Sequence, residues 1–302
     1  METKVIDWKK LKFGVEIEFV GGDPENVELL PGWIMSLDER QIDDSGGESG
    51  SELKPPPIEW ADRSQIRVML ARLRATGAAA NWNCGLHVHV GLEPWGAALL
   101  PRFLEAALRY QHALCHLLGT SDERKVFCPP VTREMLEKFL ETPGEAALHN
   151  PGRPQSHRCG INLAAWYDVG TVEIRYANGS LDDGEVLNVV ELALRFVAAV
   201  GAGRPLSGDP RELAERLGAP VDGYPKPIPV PQWYRERLWL ESLLVPILAP
   251  QARDLVREGE ILHLLPRPGG ILAIIEDAEG KHSEHLFRLP SSGWELALRD
   301  SE

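Results

Sequence analysis

Three stretches of the chain alternate strictly between apolar and polar positions, and each predicts a strand with one chemical face. In Phe13-Gly14-Val15-Glu16-Ile17-Glu18-Phe19 the carboxylates of Glu16 and Glu18 fall between apolar residues. Successive side chains of a strand point to opposite faces, so the two acids share one face and Val15, Ile17 and Phe19 the other. Cys84-Gly85-Leu86-His87-Val88-His89-Val90-Gly91 repeats the outline with two imidazoles, bracketed by glycines as strand ends often are. Gly170-Thr171-Val172-Glu173-Ile174-Arg175-Tyr176 repeats it with Glu173 and Arg175. A shorter copy, Ser51-Glu52-Leu53-Lys54, runs into Pro55-Pro56-Pro57. A solvated sheet face carries mixed small and polar residues; repeated Glu and His point instead to a shared metal site backed by a core.

Helical spacing appears between these strands. Ile66, Met69, Leu70 and Leu73 predict a helix over 61–76 that stops at Gly77. Leu100, Phe103, Leu104, Ala107, Leu108 and Leu114 predict another over 97–118, and both place their apolar stripes against the back of the sheet. Further helices are predicted near 132–141, 185–200, 210–217 and 232–248. Residues 33–42 read as a second strand. The polar, glycine-rich turn 43–50 is either a hairpin tip or an arm bringing Asp43, Asp44 or Glu48 to the metal site. The irregular stretch 120–157 has the length of a lid or binding loop. Residues 158–163 read as a strand feeding a hairpin through 166–168. Beyond 258, short strands near 260–265, 271–276, 283–289 and 294–298 predict a small antiparallel module. His263, His282 and His285 are expected on its surface.

The fold expected is therefore α+β: an antiparallel sheet with helices on its outer face, plus the C-terminal β module. Three segments follow: 1–203 as the catalytic domain, 204–257 as a proline-rich link and helices packing on that domain, and 258–302 as the module. Residues 224–231 of that link should be extended and stiff.

Composition narrows the partners. With 32 Lys and Arg against 45 Asp and Glu, the net charge is −13, which argues against nucleic acid or an anionic membrane as the default partner. No apolar run approaches the roughly 20 residues of a membrane span, and the N-terminus carries no signal-peptide core. Cys84, Cys115, Cys128 and Cys159 show no close pairing, as expected of free thiols in a reducing cytoplasm.

Taken together, Glu16, Glu18, Glu52, His87 and Glu173 offer oxygen ligands with one imidazole, a set that favours Mg²⁺ or Mn²⁺ over zinc. Four carboxylates in one pocket repel and raise each other's pKa unless cations compensate, so either two or three divalent ions sit among them or the strands do not converge. Arg175 is suited to neutralising a transferring phosphoryl group, and Arg158 to gripping phosphate oxygens. No phosphate-cradling loop, serine nucleophile elbow, HExxH helix or dinucleotide fingerprint is present.

The motifs FGVEIEF, the Asp-Asp-Ser turn followed by SELKPPP, CGLHVHVG, and Arg158-Cys159-Gly160-Ile161-Asn162-Leu163 leading to GTVEIR occur in the order seen in the amidoligase family. Residues 12–200 resemble that family, a branch of the glutamine synthetase and glutamate–cysteine ligase superfamily. The resemblance implies a sheet curled into a funnel, as in the catalytic domain of glutamine synthetase. It implies an ATP- and Mg-dependent carboxylate–amine ligase acting through an acyl phosphate. Glu16, Glu18, Glu52, His87 and Glu173 match metal positions of the superfamily; His89, Arg158 and Arg175 match positions that contact nucleotide or the transferring phosphate. Asp43 and Ser45 look like the family's acid–x–Ser turn, and Asp43 or Glu48 is the candidate base for the incoming ammonium. Ser45, Lys54 and Asn162 are the substrate-side candidates, although Lys54 and the triple proline replace a more usual Val-Ser-Pro. The implied substrates are small-molecule or peptide carboxylates and amines. Two other readings stay open: a metal-dependent hydrolase, whose barrels also open on an H-x-H strand, and a nucleotide-binding domain without catalysis.

Overall fold

β1 (Phe13–Phe19) lies in the middle of the sheet because its alternation is complete: Phe13, Val15, Ile17 and Phe19 are buried, and Glu16 and Glu18 are half-buried. In this computed structural model the described residues are 4–38, 40–122, 124–149, 159–278, 281–288 and 295–299. They form two compact units, one running to Val230 and one from Pro231 onward.

In the first unit β1 is followed by β2 (Ile34–Ser36), β3 (Gln41–Ile42), β4 (Glu48–Ser49), β5 (Ser51–Lys54), α1 (Ser64–Ala75) and β6 (Gly85–Gly91). Next come α2 (Leu100–Leu117), α3 (Arg133–Glu141), β7 (Ile161–Asn162), α4 (Ala165–Val169), β8 (Thr171–Asn178), α5 (Asp183–Gly201) and α6 (Pro210–Leu217). Six strands make one antiparallel sheet in the order β2-β5-β1-β6-β8-β7. The apolar faces of β1, β5, β6 and β8 share one core with Ile66, Met69 and Leu70 of α1, Phe103 and Leu104 of α2, and Val190 and Phe196 of α5. Phe103 and Phe196 meet edge to face with ring centroids 5.9 Å apart, a favourable geometry for aromatic pairs. α1, α2 and α5 thus stand behind the apolar face, leaving the acids and imidazoles to the other.

The second unit holds α7 (Gln232–Leu255) and four antiparallel strands, β9 (Glu260–Arg267), β10 (Gly270–Glu276), β11 (His282–Arg288) and β12 (Glu295–Arg299). Leu248 and Ala252 of α7 pack on Ile261, Leu264, Ala273, Ile275 and Phe287.

Several expectations change. The predicted strand over 33–42 is two strands: β2 joins β5 in the large sheet, and β3 pairs with β4 in a separate two-stranded ladder. The turn 43–47 is then the tip of a hairpin, closed by Asp43 N–H to the Gly47 carbonyl at 2.9 Å. The hairpin predicted through 166–168 is closed by the short helix α4 instead, which ends on Gly170 at φ 72°, a left-handed conformation natural to glycine. α7 runs past the expected stop at 248 and carries Pro246 and Pro250 inside it. Of the helices in 204–257, read from sequence as packing on the catalytic domain, α6 does so through Leu213 and Leu217, and α7 belongs to the second unit. His285 is buried rather than on the surface, because it shares the inner face of β11 with Phe287. Residues 123 and 150–157 of the predicted lid lie outside the described residues, and so does Arg158.

Cys84, Cys115 and Cys128 are free thiols; burial pushes Cys84 up to about 12 and Cys128 up to about 11. Both are therefore unreactive as nucleophiles near neutrality. Among the described residues no helix is long and apolar enough to cross a membrane.

Candidate metal centre

Strand register brings the polar residues together. Glu18 pairs with Glu52 of β5, Glu16 with His87 of β6, and His89 with Glu173 of β8, which in turn pairs with Asn162 of β7. Directly opposed residues share a face, so three neighbouring rows present acids and imidazoles side by side. The β6–β8 register shifts between Leu86 and Val88, which puts His87 at a bulge. Bulges re-aim side chains next to sites. His87 Nδ1 here lies 2.9 Å from Glu16 Oε2 and 3.6 Å from Glu173 Oε1, and its Nε2 is 3.6 Å from Glu18 Oε1.

Two groups of possible ligands result, Glu16/His89/Glu173 and Glu16/Glu52/His87, each with its donor atoms within 4.8 Å of one another. Glu16 belongs to both. His89 Nε2 is 3.3 Å from Glu16 Oε1 and 3.7 Å from Glu173 Oε1, while its Nδ1 is held by the Thr171 hydroxyl at 2.9 Å. That second bond fixes the ring, as ligating histidines usually require. Glu18 stands beside the cluster, with Oε2 accepting the Gly85 N–H at 2.5 Å.

Electrostatics support a cation here. Burial raises the Glu52 carboxyl, and the negative charges of Glu16 and Glu18 raise it further; Lys54 opposes them, and the result is a pKa of about 8. Burial also works to raise Glu16 and Glu173. For Glu16, His87 and His89 outweigh it; for Glu173, Arg175 and the two histidines do, and both carboxyls are held below the usual range. Burial and Arg175 lower His87, whereas the bond to Glu16 and the charge of Glu173 carry His89 upward against its burial. The donor set, hard carboxylate oxygens with an imidazole in each group, fits Mg²⁺ or Mn²⁺. An ion held by Glu52 must displace the proton that this carboxyl keeps near neutrality. Divalent affinity should therefore rise with pH and level off above about 8, with proton release visible by calorimetry in buffers of different ionisation enthalpy. A flat affinity between pH 6 and 9 would contradict that assignment.

Glu173 is the best supported residue of the group. Asn162 Nδ2 donates to its Oε2 at 2.8 Å, and Arg175 Nη1 bonds its Oε1. Arg175 is itself buried, with its Nε lacking a hydrogen-bond partner.

A second arginine, not singled out in the sequence, shares this environment. Arg124 comes from a 3-10 turn after α2 and is 3% exposed. Its Nη2 lies 3.5 Å from His87 Nε2 and 3.5 Å from the Arg175 carbonyl, and its Nε also lacks a partner. Its guanidinium lies where a Cβ on Gly85 would be, which explains the glycine at the head of the histidine strand. Gly85→Ala should displace that guanidinium and depress turnover without unfolding the sheet. A variant melting and turning over like wild type would show that Arg124 has no such constraint. Gly160 has a similar reason: any side chain there would meet the Tyr176 ring.

The remaining candidates lie differently. Asp43 is exposed and caps its own turn, accepting from Ser45 Oγ at 2.6 Å, Ser45 N at 2.8 Å and Gly47 N at 3.1 Å. The Ser45 hydroxyl bond, followed by the backbone bonds, holds its carboxyl below the usual range. Ser45 is thereby tied to Asp43. Asp44 Oδ1 accepts from Trp82 Nε1 at 2.8 Å, docking the hairpin on the loop that leads into β6. Neither Asp43 nor Glu48 belongs to the two ligand groups. Lys54 Nζ is 2.5 Å from Glu52 Oε2 and 3.8 Å from Glu16 Oε1.

A family model described as "Putative amidoligase enzyme" matches residues 28–197. The match spans Glu52, His87, His89, Arg124, Glu173 and Arg175 and begins after β1. No curated protein matches the chain.

Proposed function

The chain belongs to the amidoligase family, and from that premise we propose that it joins a carboxylate to an amine at the expense of ATP. The observation that carries this reading is the meeting of two ligand groups on Glu16 beside two buried arginines. Glu16, Glu52, His87, His89 and Glu173 would hold Mg²⁺ or Mn²⁺, two to three ions in all, with Glu18 in support. Such ions would supply positive charge that offsets the charge of the transferring group. The antiparallel sheet, with one face of acids and imidazoles, is the feature in keeping with a funnel of the glutamine synthetase kind.

A substrate carboxylate oxygen would attack the γ-phosphorus, the bond to the ADP oxygen would break, and an acyl phosphate would form. An amine would then add at the acyl carbon, expel phosphate and lose its proton, leaving an amide. The planar fork of Arg175 suits the equatorial oxygens of the phosphoryl group, and Arg124 adds a second fixed positive charge within reach of His87. Asn162 keeps Glu173 oriented. His89 has a place in the ligand group as well as its expected one at the nucleotide. For Arg158 at the phosphates, Asp43 as the base, and Ser45 and Lys54 near the substrates, the family likeness is the support.

The test is ADP formation from Mg-ATP over pools of amino acids and peptides. The reading expects release that needs both an acid and an amine. A product made without ATP would replace it with the hydrolase reading.

A further inference from the structure

Lys54 stands beside Glu52 at a telling place. Two residues apart on β5, they share a face, and the ammonium of Lys54 lies 2.5 Å from Glu52 Oε2 and 3.8 Å from Glu16 Oε1. Those two carboxylates, with His87, are one of the two ligand groups. A compact ammonium therefore already stands among the oxygens that a divalent ion would need. A divalent ion on those oxygens would stand directly against that ammonium, and like charges at such separations repel strongly away from bulk water.

The other group differs. Its cation, Arg175, is buried and planar and bonds Glu173 Oε1, whereas Lys54 stands 3.8 Å from Glu16 Oε1, the oxygen that faces His89 at 3.3 Å, and so lies closest to Glu52 at 2.5 Å. Lys54 is about one-third exposed, with a relative side-chain accessibility of 31%, and hangs on a flexible stem.

We infer that Lys54 is a resident cation that takes the place of one divalent ion between Glu16 and Glu52. The tight ion then binds at Glu16/His89/Glu173, and this chain works with one ion fewer than its acids could hold. The inference rests on the proposed ligase reading, since that reading supplies the ions.

The test is Mn²⁺ titration of the full chain, followed by calorimetry and by the electron paramagnetic resonance of unbound Mn²⁺. Wild type should bind one ion tightly and any second at least tenfold more weakly. Lys54→Met should add a second tight ion, tightening that step at least tenfold. Protons compete for the same oxygens, but removing one positive charge relieves a divalent ion twice as much as a proton. Lys54→Arg, which keeps the charge, should resemble wild type. Adding Glu52→Gln to Lys54→Met should abolish the gained ion and so locate it. Equal binding by wild type and Lys54→Met, or weaker binding by the variant, would overturn the inference while leaving the ligase reading intact. No Mn²⁺ bound by either protein would sink both.

Discussion

Glu16→Gln should abolish ATP consumption. Glu16 is the residue common to both ligand groups, with one oxygen 2.9 Å from His87 and the other 3.3 Å from His89. An amide keeps the shape but loses the charge, so any ion that Glu16 helps to hold is weakened. Bound divalent ions supply several kcal/mol of transition-state stabilisation in phosphoryl transfer, and each 1.36 kcal/mol is a factor of ten. A fall of about a thousandfold or more in ADP release is expected, with Mn²⁺ affinity lowered in parallel. Glu16 is a cleaner probe than Glu173. Removing Glu173 would strand the buried Arg175 without its counter-ion, and breaking a buried pair from one side costs about 3–5 kcal/mol. Glu173→Ala would therefore confound lost chemistry with lost stability. Glu16 is half-buried, and among the described residues no buried arginine bonds it. Glu16→Gln with unaltered ADP release and Mn²⁺ binding would end the metal assignment.

What the sequence disclosed follows from period two. The alternation in β1, β5, β6 and β8 needs no tertiary information to put Glu16, Glu18, Glu52, His87, His89, Glu173 and Arg175 on one face, and the structure pairs those strands in register. The same reasoning could have placed His285: it precedes Phe287 by two residues in a strand, so a core-facing phenylalanine carries the histidine inward. Short strands were harder. β2 and β3 have three and two residues, too few for alternation to show where one ends and the next begins. α7 hid its length behind two prolines, which ordinarily end a helix; here they lie inside one, in its C-terminal half.

Arg124 was illegible for a different reason. It sits in a 3-10 turn of an irregular stretch, where no periodicity assigns a face, and nothing local separates it from the surface arginines of α1. The only trace of it is an absence at Gly85, which makes sense once the guanidinium is seen lying over that position. Lys54 was visible as co-facial with Glu52, but its reach to Glu16 across the β1–β5 pair is a tertiary fact.

Arg175→Lys separates an arginine that acts on a reacting group from one that only neutralises a buried acid. Lysine retains the positive charge and can still pair with Glu173, so the fold should hold and the melting temperature should stay near that of wild type. It cannot reproduce a planar fork with several donors in fixed directions. Removing one preorganised donor aimed at developing charge costs on the order of 10²–10³ in turnover, and a loss of that size is expected in kcat. Ion binding at Glu16/His89/Glu173 should persist, because none of those ligands changes. Two features favour the catalytic role over the purely structural one: Arg175 Nε is buried without a partner, and the Arg124 guanidinium stands against the Arg175 carbonyl. An ion pair built only for stability would leave fewer unused donors beside a second buried cation. Wild-type turnover in Arg175→Lys would assign the residue to structure alone and leave the phosphoryl group to be held by other cations.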